Sequence, residues 1–185
     1  MNLLLHVCCG PCSIFPISCL QNNDIAVTGY FFNPNIHPFK EFKRRLIAAE
    51  DYSRQIGINL ISERKYGLID FLRAVVHNES ERCLYCYDTR LEKTVLKAKE
   101  EGFDSFSSTL LYSRYQNHSR IKSVCEKLSR QHSIAFHYED FRAGWQTGID
   151  KSKDLNMYRQ PYCGCIYSEQ ERYDKSLRKP EKNRK

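Results

Sequence analysis

No apolar run in this 185-residue chain approaches the ~18 residues needed to cross a bilayer, so a membrane-spanning helix is excluded. The opening Met1-Asn2-Leu3-Leu4-Leu5-His6-Val7 has no basic stretch, and its apolar core is too short for a secretory signal. The expectation is a cytoplasmic protein with no membrane partner. Also missing are a Gly-x-x-x-x-Gly-Lys phosphate loop, a Gly-x-Gly-x-x-Gly turn and a His-Glu-x-x-His helix. These absences argue against a P-loop nucleotidase, a dinucleotide-dependent dehydrogenase and a zinc protease. There is no internal repeat, no low-complexity linker and no clear internal boundary.

What the chain has in surplus is cysteine. A domain of this size buries roughly 70% of its unfolded surface and folds without covalent staples, yet it carries 9 cysteines. The odd count forbids complete pairing within one chain. In a reducing compartment, clustered thiols point to metal or redox chemistry. Seven of them fall into three groups: Cys8-Cys9-Gly10-Pro11-Cys12, Cys83-Leu84-Tyr85-Cys86 and Cys163-Gly164-Cys165. Cys19 and Cys125 stand alone in helical patterns and read as small packed hydrophobes. A Cys-x2-Cys pair lets two thiolates converge on one centre, and two pairs supply four ligands for zinc or an iron–sulfur cluster. Spacing does not choose between them. Seven grouped thiols nevertheless exceed the four of a closed zinc site. A Cys-Gly-Cys pair could close only a small, strained and easily reduced disulfide ring, or it could ligate further metal.

Charge suggests the partner. The net charge is +7, with 12 Tyr and 10 Phe. From Lys175 to Lys185 there are six cations against Glu181 alone. Phosphates attract cations, and unstacked bases attract aromatic faces, so nucleic acid fits. A solvated basic tail over 169–185 fits equally.

Periodicity alternates strand and helix. Strands are expected at Leu3–Val7, Ala26–Phe32, Asn59–Ser62, Phe103–Thr109 and Ile134–Tyr138. Helices are expected at Ser13–Asn22 with Ser13 as a cap, from Phe39 to about Gly57, and over Leu68–His77, Cys83–Glu101, Ser119–His132 and Trp145–Leu155. Tyr158–Ser168 reads as a loop. His6, inside the first strand, reads as a core residue. Strands separated by helices of this length imply a doubly wound α/β fold with a mainly parallel five-stranded sheet. Residues 1–168 would form one catalytic domain, with its site at the carboxyl ends of the strands. The Cys8 loop leaves the first strand at that rim.

Four separated segments carry a resemblance: Leu4-Leu5-His6-Val7-Cys8-Cys9-Gly10-Pro11-Cys12-Ser13, Phe31-Phe32-Asn33-Pro34-Asn35-Ile36-His37-Pro38, Arg82-Cys83-Leu84-Tyr85-Cys86-Tyr87-Asp88-Thr89-Arg90-Leu91, and Tyr158-Arg159-Gln160-Pro161-Tyr162-Cys163-Gly164-Cys165. In these, over nearly its whole length, the chain resembles the QueH family of epoxyqueuosine reductases. The resemblance implies an enzyme with a [4Fe-4S] cluster that deoxygenates epoxyqueuosine to queuosine at the wobble position of tRNA. It implies Cys8, Cys9, Cys83 and Cys86 as cluster ligands. Cys163 and Cys165 would be a redox-active pair or would help bind an additional mononuclear iron, with Cys12 as a ligand or a near neighbour. An electron donor such as a ferredoxin or flavodoxin is required.

The fold implied is the Rossmann-like, nucleotide-alpha-hydrolase-like sheet of ATP-dependent tRNA thiolases. The loop after strand one lacks their Ser-Gly-Gly phosphate binder. Tyr85, Tyr87, Tyr112 and Tyr162 are candidates for base stacking or proton donation, and Arg82, Arg90, Arg114 and Arg159 for phosphate contact. Two other readings compete: a cluster-dependent tRNA sulfurtransferase and a zinc-stabilised RNA-binding module.

Overall fold

The structure is a computed structural model and describes residues 1–177. Five strands, β1 (Asn2–His6), β2 (Ala26–Phe31), β3 (Leu60–Ser62), β4 (Ser105–Ser108) and β5 (Ala135–Phe136), form one sheet in the order β3-β2-β1-β4-β5. Every pairing is parallel. Among the described residues seven α-helices accompany it: α1 (Gly10–Asn22), α2 (Phe39–Gln55), α3 (Leu68–Val75), α4 (Arg82–Glu100), α5 (His118–His132), α6 (Trp145–Asp154) and α7 (Ile166–Tyr173). Helices α1, α2 and α6 pack together, as do α4 and α5.

The central strand explains the layering. Leu3, Leu4 and Leu5 are all fully buried, as a strand covered by helices on both faces requires. Its neighbour β4 is Ser105-Phe106-Ser107-Ser108, also buried throughout. Serine has little intrinsic preference for strands, so tertiary pairing holds β4 in place. His6 is buried between Ser108 Oγ and the Phe32 carbonyl, 3.0 and 3.2 Å from its ring nitrogens. Burial holds its pKa down at about 3, so it stays neutral and packs as a core residue.

Strand order reverses between β1 and β4. The crevice beyond their carboxyl ends is where doubly wound sheets place ligands. Two segments enter it: the Cys8-to-Cys12 loop leaving β1, and the short helical turn Thr109–Tyr112 leaving β4. The Cys8 amide donates to Thr109 Oγ1 at 3.0 Å and ties the two together.

Three expectations change. Helix α1 begins at Gly10, so Ser13 lies inside it; its hydroxyl donates to the Gly10 carbonyl at 2.6 Å, and Cys9 occupies the cap position. The stretch expected to be loop through Ser168 becomes α7 at Ile166, and this helix runs across the boundary drawn at 168. Strand β5 shortens to two residues, because only Ala135 and Phe136 pair with β4. Residues 178–185 of the basic tail lie outside the described residues.

Cys125 is fully buried against the core, and burial raises its thiol pKa beyond the usual range. Truncation there tests its assignment to packing. Cys125→Ala should lower unfolding free energy by about 1 kcal/mol in chemical denaturation, with the protein's metal content unchanged.

Candidate metal centre and cleft

All three cysteine groups lie at helix N-termini, where unpaired amides and the helix dipole favour negative charge. Cys9 is the cap of α1, with Cys12 in its first turn. Cys83 is the second residue of α4, and Cys165 is the cap of α7. The Sγ atoms of Cys8, Cys9 and Cys12 lie within 4.8 Å of one another, the grouping among the described residues that could hold a metal ion. Cys8 and Cys9 Sγ are 3.8 Å apart. Within this trio the Cys8 thiol pKa is driven down, first by hydrogen bonding from Cys12 and then from Cys9. Cys9 is pushed up by burial, and Cys12 by its bond to Cys8.

Cys83 and Cys86 belong to a second group with Cys163 and Cys165. Cys86 is buried enough to push its pKa up to about 12, and it also feels Cys163 and Cys165. Cys165 is buried against Phe71 and Val75, with Cys86 and Tyr85 packed alongside. All nine cysteines are free thiols.

Two enclosed arginines connect the groups. Arg90, only 3% exposed, donates from Nη1 to Cys86 Sγ at 3.3 Å and from Nη2 to Asn33 Oδ1 at 2.8 Å. Cys8 and Cys163 add to the negative charge it meets. It is therefore a buried counter-charge among the thiols, which removes it from the phosphate-contacting residues expected from sequence. Asn33 in turn donates to the Val7 carbonyl at 2.9 Å, just ahead of the Cys8 loop. Arg45 is bound by Glu41 at 2.6 Å and donates to the carbonyls of Cys163 (2.6 Å) and Tyr162 (3.0 Å).

The Asn33–Pro38 segment grips the same loop. The His37 amide donates to the Gly164 carbonyl at 2.8 Å, and Tyr162 Oη donates to the His37 carbonyl. A Cβ on Gly164 would fall 2.9 Å from Asn35 Nδ2, so a side chain there would have to displace the Asn35 amide.

A cleft of about 590 Å³ opens over this centre. Cys8, Cys12 and Cys163 line it, with Arg45, Arg90 and Arg159; Cys83 and Cys86 do not. Two glutamine amides reach sulfur: Gln160 Nε2 donates to Cys12 Sγ at 3.1 Å, and Gln116 Nε2 to Cys163 Sγ at 3.0 Å. The candidate tyrosines mostly support the walls. Tyr87 Oη donates to Gln116 Oε1 at 2.7 Å and so aims that amide at Cys163. Tyr112 donates to the Trp145 carbonyl at 2.9 Å, and the ring of Tyr162 lies under Arg45. Tyr85 packs on Phe71, away from the cleft lining. Arg82 pairs with Glu171, while Arg114 lies over Trp145.

Sequence reading passed over Asn33, Arg45, Gln116, Gln160, Tyr115 and Trp145. Asn33 and Gln160 lay inside the quoted segments, and Glu41 with Arg45 has the i,i+4 spacing of a helical ion pair. Nothing in the sequence marked Gln116.

The donor set suits an anionic metal–sulfur group. It offers soft thiolates, helix N-termini, enclosed cations and N–H donors aimed at sulfur. Arg90 Nε and Gln160 Oε1 are buried polar atoms without a protein partner beside it.

A family model described as "Epoxyqueuosine reductase QueH" matches residues 3–171. A protein of that name from Dehalococcoides mccartyi is 39% identical, the alignment covering 94% of this chain and 96% of that one. The same-named protein of Thermotoga maritima is 32% identical over 94% of this chain and 93% of its own. That of Streptococcus pyogenes is 34% identical over 90% and 70%. Among solved structures, one titled as a predicted subunit of tRNA methyltransferase from Methanocaldococcus jannaschii superposes with a TM-score of 0.54 at 14% identity, covering 83% of this chain and 74% of that chain. It shares the fold.

Two outcomes follow from this geometry. Asn33→Ala would orphan the buried Arg90 Nη2 and the Val7 carbonyl, and unfolding free energy measured with urea should fall by about 2–5 kcal/mol. His37 is held neutral by burial, its pKa lowered from 6.5 to about 4. The stability this burial contributes is complete above pH 6.5 and is lost as pH falls through 4, because the unfolded chain takes up the proton first. His37→Gln should flatten the decline across that window in denaturation curves recorded at successive pH values.

Proposed function

The chain belongs to the epoxyqueuosine reductase QueH family, and from that membership we propose that it reduces epoxyqueuosine to queuosine in tRNA, the last step of queuosine biosynthesis. The observation that carries this reading is the meeting of three cysteine groups at the β1/β4 switch point, with Cys8, Cys12 and Cys163 facing an open cleft. We propose that Cys8, Cys9, Cys83 and Cys86 hold a [4Fe-4S] cluster, with Cys12 in the thiol trio beside them. Cys163 and Cys165 serve as a redox-active pair or as ligands of a further iron.

The reaction needs two electrons and two protons per epoxide: both C–O bonds break, the carbon–carbon double bond forms, and oxygen leaves as water. The cluster, when bound, supplies electrons one at a time, drawn from a small ferredoxin- or flavodoxin-like donor. The chain's own groups arrange the rest. Arg90, Gln116 and Gln160 donate N–H bonds to sulfur and so stabilise negative charge there. Arg45 fixes the backbone at Cys163 by donating to the Cys163 and Tyr162 carbonyls. The cleft is large enough for a nucleoside-sized group. Arg159 in its lining and Arg114 beside Trp145 supply positive charge for the RNA backbone.

No helix of the described residues is long and apolar enough to cross a membrane. We place the protein in the cytoplasm with its tRNA substrate; the catalytic domain expected to end at 168 includes all of α7, to Tyr173, and the basic segment after it is an appendage.

The test is anaerobic purification followed by iron and acid-labile sulfide assays, and then incubation of epoxyqueuosine-containing tRNA with a chemical reductant. Near-equal iron and sulfide, about four of each, and loss of one oxygen from the nucleoside by mass spectrometry are expected. Cys83→Ala should lose both cluster and turnover. A colourless protein carrying stoichiometric zinc, inert toward this tRNA, would overturn the reading.

A further inference from the structure

One wall of the cleft is left unused by the sulfur chemistry. It consists of the turn after β4 and the first residue of α6. Trp145 is the single tryptophan of the chain. Tyr112, 3% exposed, packs against its ring at 5.2 Å between centroids and 32° between planes. Tyr115 meets the same indole edge-on at 5.5 Å and 78°, and it is 87% exposed. The Arg114 guanidinium lies 5.9 Å above the indole. Tyr112, Tyr115 and Trp145 line the cleft together with Cys8, Cys12 and Cys163.

This wall is held in place by its supports. A Cβ on Gly144 would fall 2.0 Å from the Phe15 ring, and one on Gly148 would fall 2.2 Å from Tyr112 Oη. Gly148 sits inside α6, where glycine weakens a helix; here it admits the tyrosine that braces Trp145. A large ring left in water at the lip of a braced aromatic pair, with a cation beside it, is not accounted for by core packing. At 87% exposed, Tyr115 leaves most of its ring open to a partner.

We propose that Tyr115 and Trp145, flanked by Arg114, form a stacking platform for an unpaired base of the substrate RNA, one that flanks the nucleotide entering the cysteine-lined part of the cleft. The inference rests on the reductase reading for the identity of the substrate. Single-stranded loops are gripped by stacking splayed bases on aromatic faces with arginine alongside, whereas a duplex keeps its base faces hidden in its own stack. The cleft continues from the platform to Cys8, Cys12 and Cys163 without leaving its own lining. A base held on Tyr115 would therefore set the register of the nucleotide beside it.

The experiment compares two probes on the metal-loaded protein: a labelled RNA hairpin with a single-stranded loop, and a blunt RNA duplex of the same length. Affinity is read by anisotropy, and position by the emission of Trp145. Tyr115→Ala should weaken hairpin binding by about tenfold or more, leave duplex binding unchanged, and spare Tyr115→Phe; hairpin but not duplex should quench Trp145. Unchanged hairpin affinity in Tyr115→Ala, or equal losses for both probes, would overturn the platform. Turnover of epoxyqueuosine-containing tRNA by the unsubstituted protein is scored in parallel. Turnover combined with Tyr115-independent binding removes the platform and leaves the reductase standing. Tyr115-dependent hairpin binding without any turnover removes the reductase and leaves the platform.

Discussion

The arrangement depends on one enclosed positive charge. Arg90 is 3% exposed, and a guanidinium so enclosed is tolerated only with hydrogen-bond acceptors and negative charge close by. Asn33 takes one donor and Cys86 another, while Cys8 and Cys163 contribute to the field it sits in. The same contacts are structural links. Val7, Asn33, Arg90 and Cys86 form a hydrogen-bonded line from the end of β1 to the first turns of α4. Two cysteine motifs more than seventy residues apart are thereby brought to one place by a residue that also favours thiolate in both. Arg45 repeats the device for the third motif, gripping the Cys163 and Tyr162 carbonyls while Glu41 compensates its charge. Arginine suits both positions because its planar fork serves several acceptors at once.

The topology then makes these links productive. The loop after β1 and the turn after β4 diverge from adjacent parallel strands at the point of order reversal, and the gap between them becomes the cleft. Three helix N-termini carry cysteines, so backbone dipoles and buried guanidinium groups favour the same sign of charge at the site. One part of the cleft lining is sulfur and the other aromatic. A reductive site for a nucleoside within RNA requires both kinds of surface, one to pass electrons and one to hold a base.

Much of this was legible in the residues, for reasons that can be named. The Leu3–Leu5 run marks a strand buried on both faces, and helical spacing from Phe39 to Tyr52 marks α2, whose observed end at Gln55 is close to the expected one. The cysteine groups stood out because paired spacing beside Gly and Pro has few uses other than ligation. What stayed hidden was set by distant contacts. Arginine is ordinarily solvated, so Arg90 read as a phosphate contact; only the fold encloses it. Tyr112, expected from sequence as a stacking or proton-donating ring, lines the cleft and also braces Trp145, a role visible only once Gly148 is seen to let it approach. Helix α7 was missed because Pro161 and Gly164 make its approach look like loop, and its first turn starts at the cap residue Cys165. Cys12 acquired a place only when α1 was seen to begin at Gly10, which brings its sulfur to Cys8 and Cys9.

The central claim is that these converging thiols remove the epoxide oxygen of epoxyqueuosine in tRNA. The most direct measurement is nucleoside mass spectrometry of tRNA from a host stripped of its own epoxyqueuosine reduction and supplied with this chain. The account predicts that queuosine returns and epoxyqueuosine disappears. Epoxyqueuosine persisting at its starting level in cells that hold the folded, metal-loaded protein would contradict it.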